Sequence, residues 1–298
     1  MRIRTISIVG ILIVALISCE KYDDYIVDYK FSAVYFATQK PLRTIVAYDE
    51  MNFKVGVALG GKRANGDNEY AEFVIDESLL EDEDIVKGND FLLMPSEYYT
   101  LSNDSRMDIP AGEFIGDITV TLNKEQFTAD ELSITNTYAI PLRITNTSTD
   151  SILSDKVYSI LVIKYISEYH GTYYHKGIQT EVDENGDVVE KTLYSDSDLI
   201  NNATWDIKTV NATTLSTPKA GTFGNGKLIL SVDKTSNKVL ITSGNNNIEI
   251  TGQSGTYNPG DRQFYLDYDF TRNKKNYQVS DTLILRQPPE KDLYFEEW

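Results

Sequence analysis

Alternation of apolar and polar residues restricts the folds open to this chain more than any other feature. NFKVGVAL puts Phe53, Val55, Val57 and Leu59 on one side, and AEFVID continues the pattern with Phe73 and Ile75. A period of two lines one face of a strand, whereas a helix would scatter the same residues around its axis. The pattern returns at residues 98–101, at Met107 and Ile109, at Ile118, Val120 and Leu122, and at Tyr138, Ile140, Leu142 and Ile144. Gly60-Gly61 and Asn65-Gly66 supply the positive-φ positions of turns between these runs. VYSILVIKY, residues 157–165, is apolar on both sides over residues 160–163 and predicts a central strand. Pro141 lacks an amide donor and predicts an edge or a bulge. One place reads as helical, a short turn capped by Asp76 that carries Leu79 and Leu80 and stops at Gly88. Seven or eight short strands predict an immunoglobulin-like β-sandwich over residues 31–166.

A second pattern starts near residues 167–171. GTYYHKGIQTEV and DVVEKTLY flank Asn185-Gly186, a strong hairpin signal. A meander follows, with strands expected at 204–210, 227–232, 238–242, 247–251, 263–270 and 281–286. Such a run curls into an antiparallel barrel or half-barrel, so residues 167–298 are expected to form a lipocalin-like unit. The expected fold is therefore all-β, sandwich then barrel.

The first 30 residues obey a different rule. Arg2 and Arg4 precede an apolar run at residues 6–17, and Leu16-Ile17-Ser18-Cys19 has the pattern of a bacterial lipobox. Twelve residues of helix rise roughly 18 Å against a hydrocarbon layer of about 30 Å, which fits a signal peptide (1–18) and not a spanning helix. Cys19 is the expected lipidation site, and the acids after it make 19–30 an acidic tether to a membrane. That cysteine is the chain's only one, which leaves no disulfide and no thiolate site in the body. The net charge of -17 becomes -19 once residues 1–18 are removed, and 45 acids against 28 bases exclude a nucleic-acid binder.

No catalytic residue, metal or cofactor is expected. Asp267 and Asp269 share a strand face but read as solvated, and glycoside hydrolysis needs a carboxyl pair with one pKa raised. His170 and His175, the only imidazoles, differ by an odd offset that points them to opposite faces of a strand. Asp183, Asn185 and Asp187 lack the distal glutamate of a calcium loop. Gly252-Gln253-Ser254-Gly255 lacks the strand-to-helix context of a nucleophile elbow. Sugar binding asks less, namely flat rings for stacking and polar side chains for hydroxyls. The second half offers Tyr173, Tyr174, Trp205, Tyr257, Tyr265, Tyr268 and Trp298, with Asn246 in a turn. Each of these also fits a core or turn role. Asp150-Ser151-Ile152 resembles an O-glycosylation pattern and makes Ser151 a loop candidate, whereas Thr282 falls within an expected strand.

Phe91-Leu92-Leu93-Met94-Pro95, Tyr98-Tyr99-Thr100-Leu101, Ile109-Pro110-Ala111-Gly112 and Tyr138-Ala139-Ile140-Pro141-Leu142 resemble an N-terminal domain of Bacteroidetes surface lipoproteins. That domain also precedes the catalytic domain of family-18 endo-β-N-acetylglucosaminidase lipoproteins. The second half, from Gly171-Thr172-Tyr173 to the closing Trp298, is similar to a companion domain without assigned activity. The resemblance implies a non-catalytic, glycan-binding lipoprotein on the outer face of the outer membrane, capturing oligosaccharides for an outer-membrane transporter. A structural or interaction subunit without glycan affinity is the alternative reading, and a glycoside hydrolase the third.

Overall fold

Residues 31–298 are described in a computed structural model; the expected signal peptide, Cys19 and the expected acidic tether lie outside the described residues. The first eleven strands are β1 (Ala33–Phe36), β2 (Pro41–Val46), β3 (Asn52–Gly60), β4 (Glu69–Ile75), β5 (Leu92–Leu93), β6 (Tyr99–Leu101), β7 (Arg106–Ile109), β8 (Ile115–Leu122), β9 (Tyr138–Thr147), β10 (Ser151–Ile152) and β11 (Tyr158–Ile166). One sheet has the order β10-β1-β3-β8-β6. The facing sheet runs β2-β11-β9-β4-β7, with β5 beside β9. The alternating residues read from the sequence lie between the sheets, where Phe36, Val57, Ile118, Phe73, Ile140 and Leu161 belong to one buried cluster. Burying each such side chain is worth roughly 1.5–3 kcal/mol.

β11 lies between β2 and β9 and is buried on both faces, as its apolar run predicts. Its outer face is covered by two short helices, α1 (Ser78–Glu81) and α2 (Glu83–Val86), through Leu79 and Val86. Asp76 receives the Ser78 amide at 3.2 Å at the head of this segment. At its foot Lys87 (φ 51°) and Gly88 (φ 80°) are both left-handed.

Two expectations need correction. Pro141 is in an interior strand, β9, and not at an edge. The β4 ladder on that side ends at Ile75 opposite Leu142, while β5 pairs only Tyr138 and Ala139. Pro141 therefore occupies a break between two partners, where no acceptor asks for an amide, and its carbonyl takes the Asp76 amide at 2.9 Å. A third helix, α3 (Lys124–Ala129), was not expected. It is too short for a periodic signal and buries only Phe127, behind an Asn123 cap.

The second unit contains β12 (Gly171–Val182), β13 (Val188–Tyr194), β14 (Ala203–Thr209), β15 (Thr214–Ser216), β16 (Leu228–Val232), β17 (Lys238–Ser243), β18 (Glu249–Asn258), β19 (Gln263–Arg272) and β20 (Lys275–Leu285). Each strand pairs with the next antiparallel from β14 to β20, and β20 pairs back onto β12 over ten residues. Pairing of β12 with β14 closes an eight-stranded barrel, leaving β13 as a flap on the far half of β12. Phe264, Leu266, Phe270, Leu228, Leu230 and Ile207 fill the interior.

After β20 the chain returns to the first unit. β21 (Glu296–Glu297) pairs with Leu42 and Pro41 of β2, and Trp298 packs edge-on against Phe91 with ring centroids 4.7 Å apart. The Trp298 indole donates to the Ile160 carbonyl at 2.8 Å, and Lys40 lies over its ring. Trp298 thus belongs to the sandwich and not to a barrel binding face. Further ties between the units are the Tyr48 hydroxyl donating to Glu290 at 2.7 Å, Ser167 donating to the Ala212 carbonyl at 2.7 Å, and a Lys234–Glu168 ion pair. No helix among the described residues is long and apolar enough to cross a membrane.

Candidate functional site

Strand alternation turns four of the expected sugar-stacking residues inward. Tyr173, Trp205, Tyr257 and Tyr268 face the barrel interior, and the most exposed of them retains 8% of its surface. Tyr173 donates to the Tyr169 carbonyl at 2.8 Å, and Tyr257 packs edge-on against Tyr169. None of the four offers a free ring face to a sugar. Tyr174 and Tyr265 face outward on β12 and β19, with the Tyr265 hydroxyl on Gln263. Asn246 is exposed and lines a concavity of about 800 Å³, where the β17–β18 ladder stops at Val239 opposite Gly255. The Gln253 side chain there accepts the Ile241 amide at 3.3 Å in place of a strand partner. That slot carries no aromatic ring and no charged cluster. Ser151 opens strand β10 beside β1 instead of standing in a free loop, and Asp267 and Asp269 are solvated on the outer face of β19.

A more organised site lies where β13 and β14 diverge from β12. Going down the inner face of β12, the residues are Tyr173, His175, Gly177 and Gln179; on β20 they are Tyr277, Val279, Asp281 and Leu283. Asp281 is 1% exposed inside an otherwise apolar series. A buried carboxylate persists only if its oxygens are satisfied. Tyr194 donates to Oδ1 at 2.6 Å, His175 Nε2 lies 2.9 Å from the same oxygen, and Tyr268 donates to Oδ2 at 2.8 Å.

Gly177 makes this convergence possible. It pairs with Tyr194 on one side and Asp281 on the other, so the three stand in a row across three strands. At roughly 4.8 Å per strand the outer two are nearly 10 Å apart. A side chain at 177 would fill the space between, since its Cβ would lie 2.6 Å from Asp281 Oδ1 and 2.3 Å from the Ser280 carbonyl. Gly221 acts alike on the β15–β16 loop: it is left-handed (φ 51°), its amide donates to the Tyr268 hydroxyl at 2.7 Å, and a Cβ would strike Gln179 Oε1 at 2.3 Å. Gln179 in turn accepts the Thr222 amide, which fixes the loop over the strands.

Beside this network is a cavity of about 400 Å³ lined by His175, Tyr194, Asp196, Asn201, Lys219 and Thr222, with Trp205 at its back. The His175 ring is stacked on Trp205 with centroids 3.7 Å apart and lies 4.9 Å from Tyr194. Trp205 therefore supports the floor. With Nε2 directed at Asp281, Nδ1 has no hydrogen-bond partner among the described residues, nor is it a sealed orphan atom. Asn202 builds the rim by donating to three carbonyls of its own loop and accepting the Asp196 amide. Burial, reinforced by the Asp281 charge, raises the pKa of Tyr194 and Tyr268 far above that of a free phenol, so both stay protonated donors.

Of the two imidazoles, His175 enters this site and His170 does not. His170 precedes β12, and its Nδ1 accepts the Thr209 amide at 3.2 Å. Among the described residues no group of three or more His, Cys, Asp or Glu side chains could hold a metal. Sequence reasoning weighed His175 only beside His170 and set it aside, and it passed over Asp281, Tyr194, Gln179 and Gly177 as site residues. The available signal was polar residues at inward positions of an alternating series.

Fold and site together define a two-unit all-β protein whose barrel wall opens into a side pocket over a buried carboxylate. A family model described as "-like, N-terminal domain" matches residues 28–151. No curated protein matches the chain. A crystal structure of a Bacteroides ovatus protein of unknown function is similar over 90% of this chain and 99% of its own, at 24% identity and TM-score 0.74, which shows the fold. A second Bacteroides ovatus structure of unknown function covers the same share of this chain and 100% of its own, at 14% identity and TM-score 0.45. The Bacteroides thetaiotamicron protein EndoBT-3987, solved with Man5GlcNAc product, aligns to 42% of this chain and 28% of its own at 22% identity and TM-score 0.33. The last two likenesses are too distant to bear on the function of this chain.

Proposed function

We propose that this protein binds a glycan without cleaving it, and that the barrel's side pocket is where it does so. The observation that carries the reading is the His175 ring, clamped between Asp281 and Trp205 with Nδ1 left open to a cavity that Tyr194, Asn201, Lys219 and Thr222 also line. With Nε2–H given to Asp281, Nδ1 accepts a hydrogen bond from a ligand hydroxyl. Tyr194 presents an aromatic surface beside it, and the rim supplies amide and ammonium donors. Rigid apolar surface combined with a few fixed polar groups suits a pyranose ring.

The lipobox at Cys19 and the acidic residues after it support a lipid-anchored position on the outer face of an outer membrane. There a captured oligosaccharide would pass to a transporter. Titration calorimetry of the soluble body against host and plant oligosaccharides tests the binding, with Tyr194→Ala expected to weaken any ligand found. Absence of binding across the panel would remove the reading. Cys19→Ser is expected to release the protein from the membrane fraction, and retention on intact cells would count against the anchor.

One observation favours an interaction role as the second reading. β13 pairs only with β12, and Val188, Val189 and Leu193 along it are 59–68% exposed, with Ile200 nearby in sequence at 72%. An apolar strand with a free edge can accept another chain. Co-purification with a membrane complex, abolished by Leu193→Lys while glycan binding is unaffected, would support it.

A further inference from the structure

The sandwich unit contains a cavity of about 260 Å³ unrelated to the barrel pocket. It opens where β1 ends at Phe36 opposite Val57, so that residues 52–56 of β3 continue without a partner on that side. Phe36, Pro41, Val55, Val57, Ile115 and Leu161 give it a largely apolar wall. Arg43 of β2 lines it too, in register with Ile163 and therefore on the inter-sheet side of its strand.

Arg43 is an anomaly. Its Nε is buried with no partner, and among the described residues the guanidinium makes no hydrogen bond and no ion pair; its one neighbouring ring is Phe295, at 5.9 Å. The acids nearby do not serve it, because Asp117 at the cavity rim pairs with Lys54 at 3.1 Å. Ser159, also in the lining, gives its hydroxyl to the Thr38 carbonyl. In a chain of net charge -17 an unpaired arginine is not explained by scarcity of carboxylates. Arg43 as a whole is half-buried, but its sealed Nε is a donor left unsatisfied, and such a group calls for a missing partner.

We infer that this cavity is a second ligand site, for a small amphipathic carboxylate. The planar guanidinium forks onto the carboxylate, its preferred partner, while the apolar body lies along Val55 and Ile115, lining residues that keep accessible apolar surface. The volume equals that of roughly nine waters at about 30 Å³ each. It suits a short acyl chain and excludes an oligosaccharide. This site is independent of the glycan reading.

Octanoate, acetate and octanol serve as probes of the intact mature chain, read by titration calorimetry and thermal shift. Octanoate is expected to bind and raise the melting temperature, acetate and octanol to bind at least about tenfold more weakly, since each lacks one half of the match. Arg43→Met should abolish the preference for octanoate over octanol, and Arg43→Lys should weaken it by removing the fork. Ile115→Trp, an exposed residue at the mouth, should block binding with the arginine intact, which keeps the test decisive if Arg43→Met does not fold. Failure of octanoate to bind the parent protein, equal binding of acetate, or unchanged octanoate affinity in Ile115→Trp would each overturn the inference.

Discussion

Tyr194 and Asp281 are hydrogen bonded at 2.6 Å although a whole strand, β12, separates the two strands that carry them. The contact exists because the intervening residue is Gly177. It joins the flap β13 to the closing strand β20, and so couples the shape of the pocket to the closure of the barrel.

Gly177→Val should therefore cost more than a strand glycine usually does. Valine would suit an ordinary strand position, but here its side chain must displace the Asp281 carboxylate and the Ser280 carbonyl. We expect a loss of about 2 kcal/mol or more, as for overpacking a core. Chemical unfolding of the parent and variant measures it, and an equal or raised midpoint would contradict the account.

Asp281→Leu removes the acceptor and leaves the Tyr194 and Tyr268 hydroxyls and His175 Nε2 facing an apolar side chain. Leaving a buried donor unsatisfied costs about 1–3 kcal/mol, and here three lose their acceptor at once. The near-ultraviolet circular dichroism of the barrel aromatics should weaken at a lower denaturant concentration. Asp281→Asn, which keeps an acceptor oxygen, should lie between the two.

Protonation of His170 should destabilise the junction between the units. Burial, and secondarily the charge of Lys208, lowers its pKa below the free value, in keeping with Nδ1 accepting the Thr209 amide. The folded pKa lies below the unfolded value of about 6.5, so between the two the unfolded chain holds more protons and stability rises with pH. The contribution is whole above about pH 6.5, declines as pH falls below it, and levels off once the folded pKa is passed. Urea midpoints from pH 8 to 5 measure this, and His170→Gln should flatten the slope in that window.

Trp298→Ala should destabilise the sandwich, since the indole covers Phe91 and satisfies the Ile160 carbonyl. A partly buried ring of this kind should be worth about 2 kcal/mol, less than the 3–5 kcal/mol of a fully enclosed one. Hydrogen exchange should rise first in β2 and β11, with the barrel strands little affected; the opposite order would contradict the placement.

Much of the architecture was legible because alternation is a local signal. Val55, Val57 and Leu59 declare their face without knowledge of the partner strand, and the double-sided run at Ile160 to Ile163 declares a central one. Pro141 was misread because its rule concerns missing acceptors: it occupies a break in the neighbouring ladder, and breaks are set by β4 and β5, remote in sequence. α3 was missed because six residues with one buried ring make no period. At the site, counting aromatic rings favoured Trp205 and Tyr268, yet alternation had already turned both inward. The better clue was an acid inside an apolar series, Tyr277, Val279, Asp281, Leu283. The sequence left open barrel or half-barrel and could not give the closing register, which alone brings β12 beside β20 and makes His175 the neighbour of Asp281.

The return of β21 to β2 has a consequence for biogenesis. More than two hundred residues separate the paired positions Leu42 and Glu296. As the chain emerges from its amino end, whether from the ribosome or across a membrane, the sandwich sheet must wait with β2 uncovered until the entire barrel sequence has followed. A holding factor acting on the unfinished chain would therefore find its target on the first unit, at the edge that the last strand later seals.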